Sequence, residues 1–268
     1  MTRPPAPAWL LGAPVHPLTL RGAVAFCAAR VRARRPGYLC AANVHVITES
    51  YIHGALHRAL RGAAAVVPDG MPLVWFLRQR GHRHQDRVYG PALTERLLAQ
   101  SQRRGWRVFF YGGTPGALAA LLAAVRRRWP GLRVAGALSP PFHRVQPGAE
   151  FVAHLAVIRR ARPQVLLVGL GAPKQELWMA RAAAAGSRVP LTLGVGAAFD
   201  FLGGAKPQAP RWMGAAGLEW LFRLASEPRR LWRRYLLLNP LFLALVALQE
   251  FGIVDGNRGA TGPWARRS

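Results

Sequence analysis

From residue 9 to residue 195, short apolar runs alternate with longer stretches of helical composition. Trp9 to Leu11, Tyr38 to Ala42, Ala65 to Val67, Arg107 to Tyr111, Leu132 to Ala135, Val165 to Gly169 and Leu191 to Val195 read as strands. Residues 19–34, 48–60, 72–79, 92–104, 116–128, 149–161 and 175–185 read as the helices between them. Strands this short and this continuously apolar are buried on both faces, and their alternation with helices implies parallel crossover units. The predicted fold class is α/β: a Rossmann-like, doubly wound parallel sheet with flanking helices. Thr19 and Thr48 are placed as N-caps, and Pro91 and Pro115 fall near first-turn positions, where the missing N–H has no helical partner to lose.

After Pro210 the pattern changes to tryptophan, arginine and leucine, in RWMGAAGLEWLFRLASEPRRLWRRYLLLNPLFLALVALQEF. Ser226 reads as the cap of a new helix, with Pro228 near its first turn. The apolar run Leu236 to Leu248 is too short by itself to span a bilayer and contains Asn239 and Pro240. Arginines and tryptophans beside it point to a helix lying in the membrane interface; the alternative is a C-terminal helix packed on the core, in a monomer or a homo-oligomer. The expected organisation is an α/β domain over 8–210, a helical, membrane-associating appendage over 211–251, and tails at 1–7 and 252–268.

Charge changes this picture less than its size implies. The formal net charge is +26, but all but two of the 37 basic residues are arginines, spread along the whole chain, Lys174 and Lys206 being the exceptions. No recognition-helix, zinc-finger or RNP-type pattern accompanies them, so nucleic acid is not an expected partner. Cys27 and Cys40 form neither a CxxC pair nor a disulfide framework, and the N-terminal segment is too broken by proline for a signal peptide, which points to the cytoplasm. The 11 carboxylates make a short list for any general base.

In parallel α/β folds function gathers at the carboxyl ends of strands. Asn43 follows Tyr38 to Ala42 and is placed to hydrogen-bond a sugar or nucleotide, or to cap a turn. Asp69, in Pro68-Asp69-Gly70, is placed to take a proton from a substrate hydroxyl, or to close a tight turn. YGGTPG (Tyr111 to Gly116) and VGLGAPKQE (Val168 to Glu176) are glycine-rich turns that lead into helices. Their Gly112, Gly113 and Gly171 expose backbone N–H groups at a positive helix end, and Lys174 and Gln175 add a cation and an amide, a combination suited to a diphosphate. Neither turn matches GxGxxG or a P-loop, which argues against a dinucleotide oxidoreductase. Asp200 in GVGAAFDFLGG is open to a helix-capping or a binding role. There is no GxSxG elbow, and His53 with His57 lacks the glutamate of HExxH, so no metal is expected.

Taken in order, Asn43, PDGMPLVW from Pro68, RVYG from Arg87, YGGTPG, VGLGAPKQE, GVGAAFDF from Gly194 and GLEWLFRLASEPRRLWRRY from Gly217 resemble the WecG/TagA/CpsF family of glycosyltransferases (glycosyltransferase family 26), over about residues 9–245. The resemblance implies a metal-independent, inverting transfer without cofactor. The donor it implies is a nucleotide-sugar, typically a UDP-sugar of N-acetylmannosamine or related type. The implied acceptor is a polyprenyl-diphosphate-linked glycan in polysaccharide or teichoic acid assembly, at the inner face of the plasma membrane. On this chain the implied base is Asp69, the substrate contacts Asn43 and Gln175, and the acceptor-diphosphate arginines Arg223, Arg230 and Arg233, with Arg234 adjacent. Ala41, Ala92 and Gln208 depart from the family pattern, and a catalytically inactive basic adaptor for anionic lipid is the alternative they leave.

Overall fold

The first apolar run takes a different place from the one its composition predicts. Instead of a core strand it forms half of an antiparallel hairpin, β1 (Ala8–Leu10) with β2 (Ala13–Val15), turned through Leu11 and Gly12 at φ 50° and 75°. This computed structural model describes residues 3–141 and 148–255, so most of the expected C-terminal tail lies outside the described residues.

The chain continues as α1 (Leu20–Arg32), β3 (Tyr38–Ala42), α2 (Val44–Ile52), α3 (Gly54–Arg61), β4 (Ala65–Pro68) and α4 (Met71–Gln79). There follow α5 (Gly90–Arg104), β5 (Arg107–Gly112), α6 (Pro115–Arg128), β6 (Arg133–Leu138), α7 (Ala149–Ala161), β7 (Val165–Gly169), α8 (Lys174–Ala184), β8 (Leu191–Gly194) and α9 (Ala198–Leu202). Strands β3 to β8 form one six-stranded sheet, order β4-β3-β8-β7-β5-β6, with every pairing parallel.

Side-chain alternation divides the core into two layers. Leu39, Val67, Phe110, Leu167 and Leu193 face α1, α5, α6 and α9. Cys40, Val66, Phe109, Leu166 and Val168 face the opposite layer of α2, α3, α4, α7, α8 and the hairpin. Both faces are covered, which is why the strands carry no polar alternation.

Local chemistry sets the helix starts. Thr19 accepts from Gly22 N at 3.1 Å and Thr114 from Ala117 N at 3.2 Å, ahead of α1 and of Pro115 in α6. Thr48 is no cap: it is buried and donates to Val44 O at 2.8 Å. The cap is Asn43, whose Oδ1 accepts from Val46 N at 3.3 Å. The single helix expected over 48–60 is two, broken at His53 in extended conformation just before Gly54, a residue that weakens helices. Ser226 likewise ends a helix, donating to Phe222 O at 2.9 Å, and Glu227 stands at the start of the next.

The last segment forms α10 (Arg211–Ala215), α11 (Glu219–Ser226), α12 (Pro228–Leu236) and α13 (Leu238–Glu250). Helix α13 packs along α2 and buries Phe242 in the core. Gln249 ties its end to the hairpin, accepting from Leu11 N at 2.7 Å and donating to Trp9 O at 3.2 Å. The expectation of a run too short to span needs correction. Helices α12 and α13 meet at Leu237, and Leu231–Glu250 is a helical stretch of 20 residues holding an 18-residue window of mean hydropathy 1.4, long and apolar enough by length and composition alone to cross a bilayer.

Candidate active site

Because β3 and β4 pair with Ala42 opposite Pro68, Asn43 and Asp69 leave the sheet side by side. The Asp69 N–H donates to Ala42 O at 2.8 Å, extending the ladder and fixing the direction of the aspartate. They open into a cavity of about 1560 Å³ at the carboxyl edge. Residues following all six strands line it: Asn43, Asp69, Gly113, Pro140, Gly171 and Gly196. Helices α11 to α13 close it from above through Glu219, Trp220, Arg223, Leu231, Tyr235 and Phe242.

Asp69 is 19% exposed at its side chain. Its Oδ1 accepts from Gly90 N at 3.2 Å and faces Arg87 Nη2 at 3.4 Å. Arg87 is held mainly elsewhere: Nε donates to the Asp69 carbonyl at 2.6 Å, Nη1 to Glu219 Oε2 at 2.6 Å, and the guanidinium lies 4.4 Å over the Tyr89 ring. Burial is the largest influence on the Asp69 carboxyl, and with the Glu219 charge it outweighs Arg87, Arg223 and the Gly90 N–H, pushing the pKa up to about 6. A carboxylate so placed is a proton acceptor near neutral pH.

Across the cavity stand the two glycine-rich turns. Gly113 (φ 73°) donates to Gly169 O at 3.1 Å and lines the wall, as does Gly171 (φ 76°). Gly112 does not line it. At φ 121°, a Cβ there would sit 2.5 Å from Gly169 O, so this glycine serves the close approach of β5 to β7. The first turns of α6 and α8 face the cavity through Thr114, Ala117, Lys174 and Gln175, and a helix N-terminus favours anions there. Gln175 is 4% exposed; its Oε1 accepts from Gly196 N at 2.9 Å and its amide donates to Glu176 at 2.9 Å, locking together the turns after β7 and β8. Asp200 pairs with Lys206 at 3.2 Å, and Lys206 also meets Glu227 at 2.9 Å.

The tail arginines separate. Arg223 lines the cavity, with Nε 3.4 Å from Glu219 and its guanidinium 5.2 Å over Phe201. Arg233 is exposed, lies 5.3 Å over Trp232 and does not line the cavity. The side chains of Arg230 and Arg234 lie outside the described residues. No individual role for Arg87, Glu219, Tyr89 or Lys206 follows from sequence alone. The signal available for Glu219 was the scarcity of acids in so basic a chain.

A proton acceptor on one wall, facing helix ends and a lysine on the other, is an arrangement suited to a phosphorylated ligand on an α/β enzyme fold. The model of the Glycosyl transferase WecG/TagA/CpsF family matches residues 8–254, and the chain belongs to that family. Membership implies glycosyl transfer in cell-surface polysaccharide synthesis, from a nucleotide-sugar donor to an acceptor.

Proposed function

We propose that residues 8–210 carry out an inverting transfer from a UDP-sugar of N-acetylmannosamine or related type to a polyprenyl-diphosphate-linked glycan, while 211–251 hold the protein at the inner membrane face. Asp69 takes the proton of the acceptor hydroxyl as its oxygen attacks the anomeric carbon from the side opposite the nucleotide. The C–O bond to the diphosphate breaks, and the leaving charge goes to the glycine-turn N–H groups, the α6 and α8 N-termini and Lys174. Arg223, the tail arginine that lines the cavity among the described side chains, meets the acceptor diphosphate. These donors support departure of the diphosphate without a metal ion.

The observation that carries this reading is the largely buried Asp69 carboxyl, in long contact with Arg87, beside Asn43 and opposite the glycine-rich turns. The test is UDP release from a panel of UDP-sugars with a synthetic lipid-diphosphate acceptor. Asp69→Asn is expected to lower turnover about 10²- to 10⁴-fold, the usual loss on removing a general base, with the circular dichroism spectrum retained. Wild-type turnover in that variant removes Asp69 as the base. Absence of UDP release with every donor, together with lipid binding, selects the adaptor instead.

A further inference from the structure

Asp69 and Arg87 do not form the two-pronged pair that a carboxylate and a guanidinium prefer. Two short bonds hold Arg87 away: Nε on the Asp69 carbonyl and Nη1 on Glu219 Oε2, both 2.6 Å, against 3.4 Å from Nη2 to Asp69 Oδ1. With its axis fixed in this way, the guanidinium offers Oδ1 a long, weak contact. Among the described residues no hydrogen-bond donor reaches Oδ2. Glu219 does not belong to the sheet edge. It opens α11, the helix that roofs the cavity, and its Oε1 meets Arg223 at 3.4 Å.

We propose that Glu219 is a positioning residue for the base: by taking one arm of Arg87 it prevents that guanidinium from closing on Asp69, so that seating of α11 over the cavity keeps the Asp69 carboxylate open to the acceptor hydroxyl. The inference rests on Asp69 being the base. It adds that the roof helix governs how good a base Asp69 is. The charged and titratable groups facing Asp69 are Arg87 and Tyr89 from the loop before α5, and Glu219 and Arg223 from α11. His45 of α2 lines the same cavity and meets Glu49 at 3.1 Å.

In Glu219→Gln, Arg87 loses its short anionic partner and turns toward Asp69, and the negative charge that disfavours ionised Asp69 is gone. Both changes make Asp69 a weaker base. The acid limb of the pH profile of kcat/KM is expected to move about one pH unit lower, with kcat on the plateau falling about tenfold, in line with carboxylate–cation pairing and Brønsted behaviour. Donor KM should change less than kcat. Glu219→Asp, which keeps the charge on a side chain one methylene shorter, should restore the acid limb most of the way. If Glu219→Gln is poorly folded by circular dichroism, Glu219→Asp is read alone, and a smaller shift in the same direction is expected. A fall in kcat with an unmoved acid limb in the folded variants overturns the proposal and leaves Glu219 a structural tie. If instead Asp69→Asn keeps wild-type turnover, it is the assignment of the base that fails.

Discussion

Asp69 carries a conflict between stability and chemistry. Burial pushes its carboxyl up to about 6 from an ordinary value of 3.8. For an acid whose pKa is higher in the folded state, the folded protein holds the proton more tightly, so stability falls as pH rises from about 4 to about 6. Above that range the charged form costs roughly 3 kcal/mol. The expected outcome is that Asp69→Asn melts about 5 °C above wild type near pH 7.5, taking 2 to 4 °C per kcal/mol for a chain of this size and allowing for a weaker attraction to Arg87. The advantage should vanish near pH 4, and differential scanning calorimetry at the two pH values checks it. The same ionisation should appear in wild-type kinetics as a loss of kcat/KM below about pH 6. Gly112 makes a contrasting prediction. Gly112→Ala would place a methyl 2.5 Å from Gly169 O at φ 121°, and should destabilise by about 3 kcal/mol or more through backbone strain and displacement of β5 from β7. A melting curve within a degree of wild type would refute it.

At the scale of elements, the C-terminal helices are pinned by their few acids. Residues 211–251 contain three carboxylates, and each meets a cation from earlier in the chain: Glu219 with Arg87, Glu227 with Lys206, Glu250 with Arg80. Among the segment's described arginines, Arg223 stands beside one of these carboxylates, Glu219. Its apolar residues divide as well. Phe242 enters the core, whereas Leu237 is 56%, Phe251 80% and Ile253 70% exposed. Exposed apolar residues at the two ends of α13, next to the arginines and Trp232 of the α12 sequence, suit an interfacial position. Replacing Leu237 and Phe251 together by glutamate should weaken cosedimentation with anionic vesicles about tenfold or more, while turnover with a short-chain, water-soluble acceptor stays within about twofold. Unchanged cosedimentation would count against a membrane-facing role for this surface. Truncation after Gly217 is a harsher test, since it also removes Phe242 from the core and Glu219 from Arg87. It should reduce membrane association and acceptor use together.

On the scale of the whole molecule, the net charge of +26 predicts that vesicle binding weakens as salt rises from about 0.05 to 0.5 M, over which the Debye length shrinks roughly threefold. Binding that ignores salt would assign the attachment to apolar burial alone. The parallel sheet, its helices and the glycine turns at its carboxyl edge were legible in the chain, because burial on both faces writes itself as apolar runs and tight strand-to-helix turns at positive φ favour glycine. The family blocks also singled out Asp69, Asn43 and Gln175, which the fold gathers on one cavity from three strand ends. What the sequence could not supply was relation across distance. Nothing local in Trp9 to Leu11 tells a hairpin from a core strand, since both need the same short apolar run. Gly112 and Gly113 are adjacent and chemically identical, yet one serves strand packing and the other the cavity wall. Arg223 and Arg233 belong to one basic segment, and only the crossing of α11 over the sheet edge brings the first to the cavity. Most clearly, Glu219 stands 150 residues from Asp69, and their coupling through Arg87 exists only once α11 is seated. Sequence by itself determined which groups were available and which strand ends would present them; the tertiary structure alone decided which charges share a partner, because that depends on packing between elements far apart in the chain.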